Sequence, residues 1–197
     1  MVELRHYRPE DLEALYAICL QTGDASRDAT PLHSDPQLVG HIYAAPYGVL
    51  EPGNVFVAAD SEGVAGYIVG TYDTSPFAKR LEQEWWPGLR ARYADTSGMT
   101  EADLHRIAAI RQPPETPSDI VARYPAHIHM NLLSRLRGQR IGSRLLGLWV
   151  EQARAAGVSG IHLGASDTNS GGIAFWTRSG FVPVREEPGV VWFGMDL

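Results

Sequence analysis

The chain has 197 residues, of which 44% are hydrophobic and 20% charged, and its formal net charge is −6. That length supports one compact domain, spanning residues 1–197, with a sizeable core, and an acidic chain with scattered basic residues argues against a nucleic-acid partner, which needs a basic face. One cysteine excludes an internal disulfide and fits a reducing cytosol, no apolar run is long enough to span a membrane, and the amino terminus has no signal-peptide pattern, so a cytoplasmic location is expected.

Val2 to His6 is expected as a first strand. Pro9 suits the first turn of a helix, where its missing N–H would have no partner anyway. Leu12, Leu15, Tyr16 and Cys19 supply the apolar face of that helix, and Gly23 ends it. Cys19 could be drawn as a thiol nucleophile, but a small hydrophobe on a buried helix face is the plainer reading. A polar, turn-rich stretch follows, carrying Asp24, Arg27, Asp28 and His33, and then a short helix from Asp35-Pro36 to about Tyr43. Val55 to Asp60 and Val64 to Tyr72 are apolar runs joined by Ser61-Glu62-Gly63, which makes a hairpin. Asp73 closes the second run and either meets a substrate or caps the helix that Ser75-Pro76 starts. From about residue 75 to 124 helix signals outnumber strand signals. They include Trp85-Trp86-Pro87, a capping box Thr100-x-x-Asp103 and the Pro113-Pro114…Pro117 segment. The tryptophan pair reads first as helix packing, with stacking of a sugar or peptide as the alternative.

Ala126 to Leu133 reads as a buried strand, Ser134 to Gln139 as a polar turn, and Arg140 to about Ala156 as a helix. Ile141, Leu145, Leu148 and Trp149 share one face of that helix. Gly138 and Gly142 flank Gln139 and Arg140 where the helix begins. Such a turn points free backbone N–H groups at one spot, the helix dipole adds positive potential, and glycine lets an anion lie close. Pyrophosphate binding is the chemistry suggested. A Walker loop is excluded because Gly142 is followed by Ser143-Arg144, and a dinucleotide fingerprint because Gly138, Gly142 and Gly147 are wrongly spaced. Gly160 to Leu163 reads as the next strand. In the stretch from Leu163 to Phe181, Asn169 can cap a helix and Gly180 can stop it. Val182 to Glu186 and Val190 to Asp196 pair around Pro188-Gly189 as a last hairpin.

Arg137-x-x-x-x-Gly142 after a strand ending Leu132-Leu133-Ser134 resembles the coenzyme A loop of the GNAT superfamily of N-acetyltransferases, written Gln/Arg-x-x-Gly-x-Gly/Ala. The chain departs from that pattern at its first glycine, where Arg140 stands. Asn169, Phe175, Trp176 and Gly180-Phe181 match the superfamily's second stretch without a gap. The segments TGDASRDAT, AAPY, GYIVGTYDT, EWWP, YPAHIHMNLL and VVWFGMDL further resemble bacterial acetyltransferases similar to the acetyltransferase-like C-terminal domain of O-GlcNAc hydrolases. The resemblance implies an α/β (α+β) GNAT fold: a mixed, mostly antiparallel central sheet, helices on both faces, and a helical insert between the third and fourth strands. Two parallel strands near Met130 and Ile161 would splay to admit acetyl-CoA. The cofactor contacts implied are Leu132, Leu133, Arg137, Gly138, Gln139, Arg140, Ile141, Gly142, Ser143, Asn169, Phe175 and Trp176. No metal is expected. Asp24 and Asp28, in the link between the first helices, could hold an acceptor ammonium, although capping in a solvated loop is the stronger reading.

Acetyl transfer needs an amine to lose a proton, attack the thioester carbonyl and expel a thiolate. Backbone N–H near Leu132 could hold the carbonyl oxygen. His127 and His129 share one face of their strand and titrate in the right range for a general base, though a core histidine is the commoner outcome. A His-x-His zinc pair lacks an evident third ligand. Asp73 and Tyr124, acting through water, are the alternative bases. Trp176 stands where many relatives carry a tyrosine as general acid, and an indole N–H is no useful proton source. Two readings stay open: an acetyl-CoA-dependent N-acetyltransferase acting on an amine acceptor, and a coenzyme-A-binding module with little turnover.

Overall fold

The structure, a computed structural model, describes residues 2–197. Strand residues that alternate in sequence go to opposite faces of one sheet. In the first hairpin Phe56, Ala58 and Ile68 enter one core, while Val57, Tyr67 and Val69 enter the other. Both faces are therefore covered, and the sheet is buried at its centre.

The seven strands are β1 (Glu3–His6), β2 (Phe56–Asp60), β3 (Gly63–Thr71), β4 (Ala126–Leu132), β5 (Gly160–Ser166), β6 (Val182–Glu187) and β7 (Val190–Asp196), in the spatial order β1-β2-β3-β4-β5-β7-β6. Every neighbouring pair is antiparallel except β4 and β5. That parallel pair has only two registered partners, Ala126 with Ile161 and His127 with His162. Beyond His127 the strands separate.

On one face lie α8 (Ile141–Ala155) and α9 (Ser170–Arg178), which bury Ile141, Leu145, Leu146, Trp149 and Trp176 against the sheet. Leu148, expected on the same stripe, is only partly buried at its edge. On the other face lie α1 (Leu12–Gln21), α2 (Leu38–Tyr43) and α3 (Ala45–Leu50), with Leu15, Ile18, Cys19, Val39 and Tyr47 inside. Helix α3 is absent from the sequence reading because Pro46 and Gly48 both argue against a helix of six residues. The Cys19 thiol is buried and pushed up to about 11 by that burial, so it serves as a core hydrophobe and not a nucleophile.

The insert is helical: α4 (Thr74–Arg80) runs through a π turn (Leu81–Trp85) into α5 (Trp86–Arg92), followed by α6 (Glu101–Arg111) and α7 (Ser118–Arg123). Trp86, Leu89, Tyr93, Ile107 and Ile110 close a small third core on Leu38 of α2. The Trp85 indole donates to the His41 carbonyl at 2.9 Å, so the tryptophan pair works in packing. The expected capping box forms at α6, with Thr100 Oγ1 accepting from Asp103 N–H and Asp103 accepting from Thr100 N–H, both at 3.0 Å. Asp103 does more than cap. It is fully buried and also binds Ser34 N–H and Oγ and the His33 ring at 2.8 Å. Burial would raise its pKa, but these hydrogen bonds outweigh it and hold the carboxyl well below the usual range. One carboxylate thus ties the insert to the segment before α2.

Removing a buried, fully bonded carboxylate strands its donors, at a cost of about 3 kcal/mol. Asp103→Ala should lower stability by about that amount in urea unfolding, whereas exposed Asp95→Ala should cost well under 1 kcal/mol, near the usual surface effect. Equal effects would show that the Asp103 network does not hold the insert.

Candidate active site

Leu133 N–H donates to the Ala65 carbonyl of β3 at 2.9 Å. Backbone groups alternate in direction along a strand, so the N–H groups of Leu132 and Met130 point the other way, into the gap between β4 and β5. No partner strand meets them there. The sequence reading placed a carbonyl-binding N–H near Leu132, and the pleat leaves that group free. Leu133 is different. Its N–H is engaged, its carbonyl accepts from Leu136, and the residue lines an adjoining cavity of about 290 Å³, beside Thr22, Ser26 and Arg137.

The loop from β4 to α8 stays open at its end. Arg144 N–H closes the first helical bond, to the Arg140 carbonyl at 3.1 Å. No amide from Gly138 to Ser143 makes a hydrogen bond of good geometry among the described residues, and residues 137–140 close only loose turns. These amides cluster with the positive end of a 15-residue helix. Gly138 takes a left-handed turn at φ 76°, and Arg140 does the same at φ 59° and ψ 16°. The family pattern has glycine at that second position, so the arginine holds the loop at a strain of about 1–2 kcal/mol. Gly142 is buried. An added Cβ would press on Leu132, Phe175 and Met130 at 3.2–3.4 Å, so this glycine allows close packing of α8 on those side chains. Gln139 turns back to the Arg135 carbonyl at 2.7 Å, while Ser143 is exposed in the first turn.

Across the gap, Asn169 caps α9 by accepting from Gly172 N–H at 3.0 Å, and Gly180 ends that helix at φ 94°. The loop after α1 links the two sides. Ser26 accepts the Arg137 guanidinium on its carbonyl at 2.8 Å and turns its hydroxyl to Asn169 at 3.4 Å, with Ala25 and Ser26 both at positive φ. Asp24 and Asp28 are engaged locally, by Arg27 at 2.9 Å and by the Thr30 hydroxyl at 2.6 Å. Phe175 is partly exposed beside Leu132, and Trp176 stacks edge-on between Phe175 and Phe181 with 8% exposure. The Trp176 N–H has no acceptor among the described residues and is not sealed from solvent.

His127 and His129 face the α1–α3 side together, their rings 6.0 Å apart. They differ in what they can do. The Thr74 hydroxyl gives its one proton to the Pro125 carbonyl at 2.7 Å, so its oxygen accepts from His127 Nδ1–H at 2.8 Å. His127 Nε2 then accepts from the Tyr47 hydroxyl at 2.7 Å. Both ring nitrogens are used, which also removes a zinc pair with His129. The His129 ring makes no hydrogen bond among the described residues, and its nitrogens are not sealed. Tyr43 and Tyr47 pack edge-on against it at 5.7 and 5.6 Å. Burial, with the nearby His162, lowers its pKa to about 4.

The other candidate bases lie elsewhere. Asp73 is exposed, caps α4 through Ser75 N–H, and lies two residues past the end of β3, beyond Thr71, which pairs with His127 and not with His129. Tyr124 is buried against Gly160 and Gly194, and its carbonyl accepts from His162 Nδ1 at 2.6 Å. Neither is brought to the open end of β4. Tyr43 and Tyr47, which frame His129, escaped the sequence reading. Only their tertiary position near β4 reveals them, although AAPY carries Tyr47 within a segment of the family resemblance.

A model described as the acetyltransferase (GNAT) family matches residues 24–181. The chain belongs to the GNAT family. Its members are acetyltransferases, which makes the chain an acyltransferase with acetyl-CoA as the family's co-substrate. Protein O-GlcNAcase of Rattus norvegicus is 23% identical over 201 residues, covering 98% of this chain and 22% of that protein. The Mus musculus protein matches equally, so this GNAT chain spans 22% of the length of these curated relatives. Among solved structures, SsHAT is 33% identical with a TM-score of 0.85, over 99% of this chain and 98% of that one. PaiA N-acetyltransferase from Thermoplasma acidophilum, solved in complex with coenzyme A, has a TM-score of 0.62 at 13% identity, over 100% of this chain and 99% of that one, which is a likeness of fold.

Four histidines of this GNAT chain, His41, His127, His129 and His162, have lowered pKa values, each chiefly through burial. Above the ordinary value of about 6.5 they are neutral both folded and unfolded. Between that value and about 4, the value for His41 and His129, the unfolded chain takes up protons that the folded one refuses. Stability should therefore fall as pH is lowered through that window. Urea midpoints at pH 7.5, 6, 5 and 4.5 should decline, and the decline should be shallower in His129→Gln. A flat midpoint would mean that these rings are not held neutral.

Proposed function

We propose that the chain transfers the acetyl group of acetyl-CoA to an amine by direct attack on the thioester. The observation that supports this most is the row of unpartnered amides from Gly138 to Ser143 at the mouth of a parted β4–β5 pair. In this reading the amides and Arg140 hold the pyrophosphate, Arg137 exchanges the Ser26 carbonyl for phosphate oxygen, and the pantetheine enters the gap along Leu132 and Phe175. Asn169 borders that arm. Leu132 N–H receives the negative charge that develops on the carbonyl oxygen.

His129 takes the proton. The amine nitrogen bonds to the acetyl carbon, the C–S bond breaks, and the proton passes to a His129 ring nitrogen, directly or through one water. His129 suits this step because it is neutral above about pH 4 and has no other partner. The thiolate, whose conjugate acid has a pKa of roughly 8–9, leaves unaided and takes a proton from solvent. Trp176 shapes the sulfur end of the pocket without donating a proton. The lowered basicity of His129 and the lack of an acid favour a second reading, coenzyme A binding with slow turnover. Release of free thiol across a panel of amines separates the two.

Ser143→Asp tests the cradle. An aspartate in the first helical turn favours the helix dipole, so the fold should be kept or slightly stabilised. The same charge should repel pyrophosphate. Acetyl-CoA should raise the melting temperature of the wild type and barely move that of the variant. An unchanged shift would remove the loop from the cofactor site.

His129→Gln tests the base. It should lower kcat by roughly 10²-fold or more, the usual size of a general-base contribution, and erase an acidic limb near pH 4. The acetyl-CoA shift should persist. A kcat equal to wild type would assign the proton to water.

A further inference from the structure

Behind Tyr43, which packs on His129, stands a cation that the transfer chemistry leaves unused. Arg106, in α6 of the insert, lies over the Tyr43 ring at 5.4 Å and donates to the Tyr43 hydroxyl at 3.0 Å. It is partly buried and has no acidic partner among the described residues. Tyr43 in turn packs edge-on against His129 at 5.7 Å. These two separations place the guanidinium carbon no more than about 11 Å from the His129 ring.

Arg106 also lines a cavity of about 610 Å³, between the loop after α1 and the start of α6, with Ala29, Leu32 and His105. The acids on its rim are Asp24, neutralised by Arg27 at 2.9 Å, and Glu101. Glu101 begins α6 five residues before Arg106, which is about 7.5 Å along the helix axis. Among the residues lining this cavity, Arg106 is the one arginine or lysine. The Tyr43 hydroxyl takes only one of the guanidinium's donors, and the planar fork suits carboxylate and phosphate oxygens.

We infer that the amine acceptor carries an anionic group, a carboxylate or a phosphate, and that Arg106 binds that group while the amine reaches His129 past Tyr43. This rests on the acetyl-transfer reading above. It makes Arg106 a specificity determinant supplied by the insert, and it narrows the acceptor from any amine to an amino acid or amino phosphate.

Matched probes test it. We would offer 6-aminohexanoate against hexylamine, and 5-aminopentyl phosphate against pentylamine, to wild type, Arg106→Gln and Arg106→Lys. Thiol release gives kcat and KM, and calorimetry on the coenzyme A complex gives binding directly. In the wild type at least one anionic probe should show a KM about tenfold below its neutral mate, the size expected for one charge-assisted contact. Arg106→Gln should erase that gap with little change in kcat, and Arg106→Lys should restore part of it. Which anion gains more tells carboxylate from phosphate. Equal KM values within both pairs, or an equal loss for charged and neutral probes in Arg106→Gln, would reduce Arg106 to a support for Tyr43. Absence of calorimetric binding by both anionic probes would overturn the site as well. Arg106-dependent anion binding without thiol release would keep the site and sink the acetyl-transfer reading instead.

Discussion

The parting of β4 and β5 is the constraint on which the rest of the structure depends. Two registered pairs hold the strands together, and beyond them the N–H groups of Met130 and Leu132 face a gap. In a sheet buried on both faces, open backbone groups are costly. Here they are tolerated because they line a cleft into which a ligand can bring carbonyl and amide groups of its own. The flanks keep the gap open. Gly142 lets α8 pack closely on Leu132 and Phe175, and β5 turns its other edge to β7 along its full length.

At the mouth of that gap the chain accepts strain. Ala25, Ser26 and Arg140 all hold left-handed backbone without being glycine. Arg140 orients the free amides ahead of α8. Ser26 joins the two lips through Arg137 and Asn169. Strain concentrated where the cleft opens, in a fold otherwise well packed, is the pattern expected of a binding site.

The two histidines of β4 show how one strand face can hold two different roles. His127 is saturated by Thr74 and Tyr47, and Thr74 is also bonded to the Pro125 carbonyl. His129 lies among Tyr43, Tyr47 and His127 with no polar partner. The saturated ring is fixed in the wall, and the other keeps both nitrogens free, which is what the proposed proton transfer requires. The insert packs against this face, because α6 sets Arg106 on Tyr43 and Asp103 anchors α6 to the segment before α2.

Local order was legible in the sequence wherever one short segment carries its own physical reason. The α8 stripe of Ile141, Leu145 and Trp149, the Thr100–Asp103 capping box, the Asn169 cap and the Gly180 stop all depend on residues within a few positions of each other. The strand–loop–helix that begins at Ala126 was legible for the same reason. What only the tertiary structure decided were matters of direction and neighbourhood. Alternation put His127 and His129 on one face but could not say which ring would meet Thr74, 53 residues away. For Asp73 the sequence allowed either a substrate contact or a helix cap, and its place beyond the end of β3 and its bond to Ser75 N–H show the cap. Helix α3 was hidden because local propensity opposes it, and packing of Tyr47 on Phe77 overrides that propensity. Arg106 had no local signature at all, since its significance comes from a contact with Tyr43 made 63 residues back in the chain. Capping, turning and periodic burial are settled by near neighbours in the chain, whereas the free valence of a side chain depends on everything folded around it.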